Sequence, residues 1–517
     1  MIEDSFPIAG GDFAEAGSAS SSLKEHLKRV GVDPRAIRRT MIAAYEAEMN
    51  VVIHADKGTM HFSMDAGQLE VVVADEGPGI ADIDLAMQEG YSTAPAAARQ
   101  LGFGAGMGLP NIKRNSDQCS VTSMVGEGTQ VAFTICLEPE QSIEADGRSI
   151  RIVAQECCGC LRCVPACPME ALRVRASTPT ILDHLCIDCT ACIEACPTGA
   201  LALGEEDDLP DDVGDLSLVL PASFLGQFGA GVRPEQVLAA LREMGFRDVT
   251  IAEAWERALH EAVVRYARDE APALPVISPV CPVAVNLIET RYPALIEHLA
   301  PFLSPMAAVR HELGEQRAAF MVSCPAERGV LASSRSILVA PSRLHDTISR
   351  AVAAEADGGP SPAQESPAHT DVEEGVLRVS GIRHVMRTLE SIENGLLGDV
   401  EVVEPLSCEQ GCFGSPLWRE DAFISRHRWG QWRGTTEMSP KAVRRETPFA
   451  ARAGLRLDPD MAEAIRKLSA IDALTKRLPG RDCAACGAPT CAAFAEDVVL
   501  GRAAEDECKC LAKEDPT

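Results

Sequence analysis

The sequence predicts a multidomain chain of mixed α/β and α+β class. Three observations point there. The 517 residues suffice for three or four domains, and 46% of them are hydrophobic, so several cores can be buried. Sixteen of the 20 cysteines fall into groups: eight from Cys157 to Cys196, four spread from Cys281 to Cys412, and four from Cys483 to Cys508. Glycine-rich stretches stand upstream of them, and helix-period and strand-period segments alternate through the middle of the chain.

Composition narrows the function classes. A formal net charge of -28 repels nucleic acid and anionic lipid, which speaks against both as partners. The sequence contains no run of about 20 apolar residues and no charged–apolar–small leader pattern, so a cytoplasmic protein is expected. Cysteines in that setting point to metal rather than to disulfides. Cys119, Cys136, Cys158 and Cys510 fall outside the groups and read as packing or spare thiols.

The elements follow in order. Residues 1–22 are acidic and rich in Ser, Gly and Ala, and read as a disordered tail. In 23–140, "RAIRRTMIAAYEAEMNVVIHA" has helical spacing, and "HFSMDAGQLEVVVADEG" reads as two strands around a turn. A dense cysteine block occupies 148–204, and Asp207 to Asp215 is an acidic linker. Over 214–433, "PEQVLAALREMGF", "DVTIAEA" and "WERALHEAVVRYARDE" alternate helix, strand and helix, the pattern of an α/β domain. Glu355 to Gly375 has loop composition, 434–458 is a polar linker, and the helical "DMAEAIRKLSAIDALTKRL" opens a C-terminal domain at 459–517. The cysteine motif of the 148–204 block is doubled, which is the one internal repeat.

Three motifs stand in sequence in the 23–140 segment. Glu46-x-x-x-Asn50 places a carboxylate and an amide on one helix face. "DEGPG", Asp75 to Gly79, follows an apolar strand, and "GFGAGMGL" with Gly102, Gly104, Gly106 and Gly108 precedes "VGEGT", which ends in Thr129. Each is weak alone, since glycine in a loop usually marks only a turn. A carboxylate base and a metal-holding amide facing a backbone anion cradle is a phosphoryl-transfer arrangement.

From Leu23 to Leu137 this order resembles the GHKL (Bergerat) ATP-binding α/β sandwich shared by histidine kinases, gyrase and the anti-sigma-factor serine kinases. The compact form is most similar to the anti-sigma-factor type. The resemblance implies that Asn50 holds Mg²⁺ between phosphates and that Glu46 polarises the attacking hydroxyl or water. Asp75 bonds the adenine amino group, and Gly77, Gly79, Gly102, Gly104, Gly106, Gly108 and Thr129 complete the ATP site. The competing reading is a degenerate domain that binds no nucleotide. No His-Glu-x-Arg acceptor motif precedes the domain, and His26 in "KEHLKRV" reads as a helix-surface residue. A protein Ser/Thr kinase or an ATP-driven switch is therefore expected rather than histidine autophosphorylation.

In the cysteine block, Cys157-x2-Cys160-x2-Cys163-x3-Cys167-Pro168 is followed by Cys186-x2-Cys189-x2-Cys192-x3-Cys196-Pro197. This is the bacterial dicluster 4Fe–4S ferredoxin signature. The fourth ligand crosses over: Cys157, Cys160, Cys163 and Cys196 for cluster one, and Cys186, Cys189, Cys192 and Cys167 for cluster two. Zinc would call for pairs rather than triplets.

Further on, "LVLPASFLGQFG", "LREMGFRDVTIAEAWERA" and "YPALIEHLAPFLSPM" resemble the catalytic domain of iron-only hydrogenases, over about Leu218 to Arg433. Four cluster-ligand positions of that family are kept: Cys281, Cys324, Cys408 and Cys412. Four independent buried cysteines are the plainer alternative. The departures are specific. The family's proton-relay cysteine is Val280, and its cyanide-holding lysine is Glu327. The Met-Pro before Cys324 is Val322-Ser323, and the glycines after Cys412 become "FGSP". Valine cannot relay a proton, and a carboxylate beside anionic cyanide is repelled, so hydrogenase turnover is not expected and a diiron subcluster is doubtful.

The last group is Cys483-x2-Cys486-x4-Cys491 with Cys508, and Cys510 competes as fourth ligand. It resembles the small 4Fe–4S domain of corrinoid-type acetyl-CoA pathway proteins and of several redox regulators; a zinc knuckle is the alternative. The resemblances together imply about four 4Fe–4S clusters, ATP and Mg²⁺. The first functional reading is an iron–sulfur redox or hydrogen sensor with an ATP-binding, kinase-like output domain. Its partners would be a redox protein such as a hydrogenase and a regulatory phosphoacceptor, with homodimerisation open. The alternative is an electron-transfer or catalytic subunit of an iron-only hydrogenase complex. A third is ATP-driven delivery of low-potential electrons.

Overall fold

The computed structural model describes residues 1–13, 15–95, 106–137, 150–204, 207–229, 231–332, 336–354, 373–431, 439–452 and 454–511. The chain forms two compact units: Met1–Ser142 with Ala453–Arg481 and Thr490–Thr517, and Ile143–Arg452 with Asp482–Pro489. Among the described residues no helix is long and apolar enough to cross a membrane.

The first unit is built on a five-stranded antiparallel sheet. Its strands are β1 (Ile2–Ala9), β2 (Lys57–Met64), β3 (Gln68–Asp75), β4 (Gln118–Met124) and β5 (Gly128–Cys136), in the order β1-β2-β3-β5-β4. Period-2 alternation puts Met60, Phe62 and Met64, Leu69, Val71 and Val73, and Val131, Phe133 and Ile135 on the buried face. Three helices of this unit matter for the site: α1 (Ser18–Arg29), α2 (Pro34–His54) and α3 (Gly108–Asn115). In α2, Pro34 occupies the first turn and the Asp33 side chain caps it by accepting from Arg35 N. Ile37, Met41, Ala44, Ala47 and Val51 form its buried stripe.

The expected tail at 1–22 is structured. β1 pairs with β2 along its whole length, from Ile2↔Met64 to Ala9↔Lys57. Ile2 and Ile8 point to the core while Glu3, Ser5 and Pro7 face solvent, so the acids and serines that suggested disorder are the outer half of an edge strand. Helix α1 has little apolar content, yet Leu23 and Leu27 are fully buried. Its start is fixed by the buried Glu48 of α2, which accepts from Gly17 N (2.9 Å), Ala19 N (3.2 Å), Ser20 N (2.9 Å) and Ser20 Oγ (2.5 Å). A carboxylate at a helix N-terminus satisfies donors that have no partner within the helix.

The C-terminal helices α4 (Met461–Arg477) and α5 (Cys491–Val499) fall in this compact unit. Leu457 N donates to Arg29 O at 2.9 Å, and Arg29 pairs with Glu496 at 3.0 Å. His26, expected on a helix surface, is largely enclosed. It lies against the Phe62 ring and 3.7 Å from Asp472 of α4. Burial lowers its pKa, but the Asp472 carboxylate and the Ser22 carbonyl outweigh that and raise it above the ordinary 6.5. A raised folded-state pKa stabilises the fold fully below about 6.5 and less as pH rises through the folded value. His26→Gln is therefore expected to cost more stability at pH 6 than at pH 9, read by urea unfolding of the full chain. An equal loss at both pH values would contradict this.

The second unit opens with two small antiparallel pairs, Ile150–Ile152 with Leu201–Leu203 and Leu172–Arg175 with Thr178–Ile181. Val164, Leu172, Val174 and Ile181 pack together with the cysteine loops. Two parallel sheets follow. The first runs Asp248–Ile251, Ser217–Leu220, Ala318–Met321, Ser336–Val339, and the second Val276–Ile277, Val402–Leu406, Val376–Ser380. The strands "SLVL" and "AAFM" are buried at every position, as central parallel strands are when helices cover both faces.

Parts of the expected linkers are tied down. Asp207 exchanges hydrogen bonds with Leu338 beside the last strand of the first parallel sheet. In 434–458, Leu303 N donates to Val443 O, Arg445 N to Pro301 O, and Arg444 lies over the rings of Tyr266 and Phe302. Of the loop Glu355–Gly375, residues 355–372 lie outside the described residues, as do 434–438 of the linker.

Candidate functional site

In the first unit, Glu46 and Asn50 project from successive turns of α2 toward the N-terminus of α3. A side chain at Gly108 would stand 3.1 Å from Asn50 Oδ1 and 3.4 Å from Glu46 Oε2, so glycine keeps this gap clear. Asn111, one turn into α3, donates from Nδ2 to Glu46 Oε1 at 2.7 Å. That orienting amide was missed at the sequence level; its signal is a polar residue three positions after Gly108.

Asp75 ends β3, and its Oδ1 accepts from Gly77 N at 2.8 Å and from Thr129 N at 3.2 Å. Gly77 and Thr129 thus meet at one carboxylate. Gly79, with φ +71°, passes so close to β4 that a Cβ there would lie 2.2 Å from Met124 O. Gly106, with φ +75°, is pinned where Gly90 N donates to its carbonyl at 2.9 Å. Gly102 and Gly104 lie outside the described residues. The structure thus brings Glu46, Asn50 and Gly108 together, and separately Asp75, Gly77 and Thr129.

In the second unit, Cys167, Cys186, Cys189 and Cys192 line one cavity with Ile150, Met169, Leu172, Ile181 and Ile187. This is the crossed set, one cysteine from the first motif and three from the second. Burial pushes the Cys189 thiol up to about 12 and raises those of Cys186 and Cys192 as well. The other set also converges. Burial pushes Cys163 up to about 11, and Cys196, Cys157 and Cys160 add their repulsion. Thiols crowded in apolar surroundings resist ionisation alone, and bound iron offsets that cost. Among the described residues no three His, Cys, Asp or Glu side chains gather tightly enough to hold a single metal ion. A zinc site requires sulfurs roughly 3.8 Å apart, from its ~2.3 Å bonds. A cubane spreads its thiolates more widely and suits these loops.

The third cysteine group lies at the C-terminal ends of parallel strands. Cys281 caps the helix Pro282–Arg291, and Cys324 caps Pro325–Leu331 with its Sγ accepting from Glu327 N at 3.4 Å. Cys408 follows the strand Val402–Leu406, and Cys412 sits in the short turn Gly411–Gly414, its carbonyl held by Trp418 Nε1 at 2.6 Å. Cys281 lies within electrostatic reach of the other three, and Cys412 of Cys324 and Cys408. Desolvation raises all four thiols, Cys408 to about 12, although Cys412 keeps an exposed surface. Cys408 also feels Cys189, a member of the second ferredoxin set. The buried hydroxyls of Ser278 and Ser407, near Cys281 and Cys408 in the chain, have no partner among the described residues. Orphaned donors beside clustered thiols fit an iron–sulfur group, whose sulfurs accept hydrogen bonds.

The substituted positions are accounted for. Val280 packs with Leu259, Val263 and Phe302 in an apolar cluster. Glu327 is folded back onto Ser323, accepting from its N at 2.6 Å and its Oγ at 2.9 Å, and burial raises its pKa. Sequence reading missed Glu256, a neighbouring carboxyl whose surface is exposed but whose pKa is raised by desolvation and by Glu253, Glu327 and Glu404 nearby.

Of the last cysteine group, Cys483 and Cys486 belong to the second unit, where Val174 N donates to Gly487 O at 3.0 Å. Cys491, Cys508 and Cys510 belong to the first, with Cys491 opening α5 behind the Thr490 cap.

Four family models match the chain. These are the histidine kinase-like ATPase domain at residues 12–135 and the 4Fe-4S dicluster domain at 156–201. The others are the C-terminal domain of the iron-only hydrogenase large subunit, at 218–325, and a putative Fe-S cluster domain at 478–510. The serine/threonine-protein kinase RsbT of Bacillus subtilis is 36% identical over 97 residues, covering 18% of this chain and 67% of that protein. The anti-sigma F factor of Halalkalibacterium halodurans is 35% identical over 92 residues, 17% of this chain and 60% of that protein. The anti-sigma F factor of Oceanobacillus iheyensis is 30% identical over 140 residues, covering 24% of this chain and 92% of that protein. Among solved structures, an apo FeFe-hydrogenase from Chlamydomonas reinhardtii aligns with TM-score 0.32 and 13% identity, over 45% of this chain and 88% of that one.

Proposed function

Through its N-terminal domain the chain belongs to the histidine kinase-like ATPase family, and from that premise we propose that it is an iron–sulfur redox or hydrogen sensor whose output is ATP handling. The fused design of an anti-sigma-type ATPase with hydrogenase-like iron–sulfur domains is that of a regulatory protein. The observation that carries the sensing reading is the treatment of the hydrogenase-like core. Its four thiols stay together, while Val280 is packed in apolar surroundings and the Glu327 carboxylate is turned onto Ser323. Metal binding is kept where proton delivery is not.

On this reading Cys157, Cys160, Cys163 and Cys196, then Cys167, Cys186, Cys189 and Cys192, and then Cys281, Cys324, Cys408 and Cys412 hold three clusters. The C-terminal group, which matches a putative Fe-S cluster domain, is read as a fourth. Such clusters supply one-electron exchange. At the output, Glu46, aligned by Asn111, takes the proton of the attacking hydroxyl or water. The Asn50 amide oxygen would hold Mg²⁺, the glycines would present backbone N–H groups to the phosphates, and Asp75 would receive the adenine amino group. The partners are a redox protein that exchanges electrons with the clusters and a protein with a Ser or Thr phosphoacceptor. Reducing the clusters is expected to change nucleotide binding or phosphoryl transfer; identical behaviour in both states would overturn the reading.

A further inference from the structure

We propose that the Arg29–Glu496 ion pair is the joint through which the C-terminal iron–sulfur segment acts on the ATP site. This rests on the reading of the chain as a redox-responsive regulator. Helix α5 begins at Cys491, one of the cluster-ligand positions, and Glu496 lies five residues on, inside the first unit. One oxygen of Glu496 meets Arg29 Nη2 at 3.0 Å, and the other meets Arg502 Nη2 at 3.0 Å. The next residue, Asp497, is fully buried. Its carboxylate lies 3.3 Å from Arg502 Nε, and its carbonyl accepts from Arg502 N and Ala503 N. The chain between Cys491 and Cys508 is thus folded around two adjacent carboxylates, and on this proposal a shift at either cysteine moves Glu496.

Arg29 receives that shift at the last turn of α1. The pair is half-enclosed, with side-chain exposures of 20% and 19%, so it is coupled more tightly than a surface pair. α1 is anchored at its other end by Glu48, through Gly17, Ala19 and Ser20. Glu48 lies on α2 between Glu46 and Asn50, on the helix that carries the catalytic base and the metal-holding amide. One rigid helix therefore connects a cluster-bearing segment to the phosphate end of the nucleotide site. Two sites joined by such an element are coupled when it has two positions that both sites bias.

The test uses the full chain, loaded anaerobically, and measures affinity for the non-hydrolysable analogue AMP-PNP with Mg²⁺ in the dithionite-reduced and reoxidised states. Wild type is expected to show an affinity ratio of about 5- to 150-fold between states. Arg29→Gln brings the ratio close to one while iron content stays at the wild-type value, and Arg29→Lys, which keeps the cation, preserves it. Glu496→Gln is a second way to break the pair from the opposite side and has the same expected result. A full ratio in Arg29→Gln and Glu496→Gln, or its loss in Arg29→Lys, overturns the joint and leaves the sensor reading standing. A ratio of one in wild type overturns both.

Discussion

Glu46→Gln is expected to lower phosphoryl transfer or ATP hydrolysis by about 100- to 10,000-fold, the usual contribution of a positioned general base, while leaving AMP-PNP affinity within a few-fold. The geometry favours a loss in the chemical step. Glu46 faces the cleared gap at Gly108, and Asn111 holds one of its oxygens at 2.7 Å. Glutamine preserves that hydrogen-bonding shape but cannot take a proton. The Asp75 carboxylate, proposed to receive adenine, is held by Gly77 N and Thr129 N and has no hydrogen bond to Glu46 among the described residues. A variant with unchanged turnover would show that Glu46 is not the base. A variant that binds no nucleotide would show that its role is in holding the site together.

Cys324→Ala is expected to remove one cubane, so that iron falls from about sixteen per chain to about twelve, at four per cluster. Cys324 is the position where this loss is most selective. It caps the helix Pro325–Leu331 and neighbours Cys281 and Cys412, so the ferredoxin ligands remain untouched. Infrared spectra of the wild-type protein after maturation are expected to lack CO and CN⁻ bands, and hydrogen uptake to be absent, because on the proposed reading Val280 cannot relay a proton and the Glu327 carboxyl cannot hold an anionic ligand. About eighteen irons with CO bands, by the same count, would mean a complete diiron site and would favour the reading as part of a hydrogenase complex.

The sequence was most legible where chemistry dictates spacing. The doubled cysteine motif led to the two proposed crossed ligand sets, because three cysteines on one short loop can reach only one cluster. The structure places Cys167, Cys186, Cys189 and Cys192 on one cavity, and Cys157, Cys160 and Cys196 within electrostatic reach of Cys163. Glu46 and Asn50 were legible because an i,i+4 pair shares a helix face. What was not legible depends on contacts between distant segments. β1 looked like a tail because an edge strand with acids and serines on its outer side has too weak an alternation to stand out. The packing of α4 and α5 was not legible, because nothing local says that Asp472 meets His26 or that Glu496 meets Arg29, more than 400 positions away. Asn111 and Glu256 were missed for the same reason: each gains its importance from a partner on another element.

The central claim is that cluster redox state sets the behaviour of the ATP site. The most direct test is a potentiometric titration of the full-length, cluster-loaded protein, with AMP-PNP affinity measured at each poised potential and the clusters followed by electron paramagnetic resonance. Affinity is expected to change about 5- to 150-fold, with a midpoint that coincides with one of the cluster transitions. An affinity that stays constant across every cluster transition would contradict the claim.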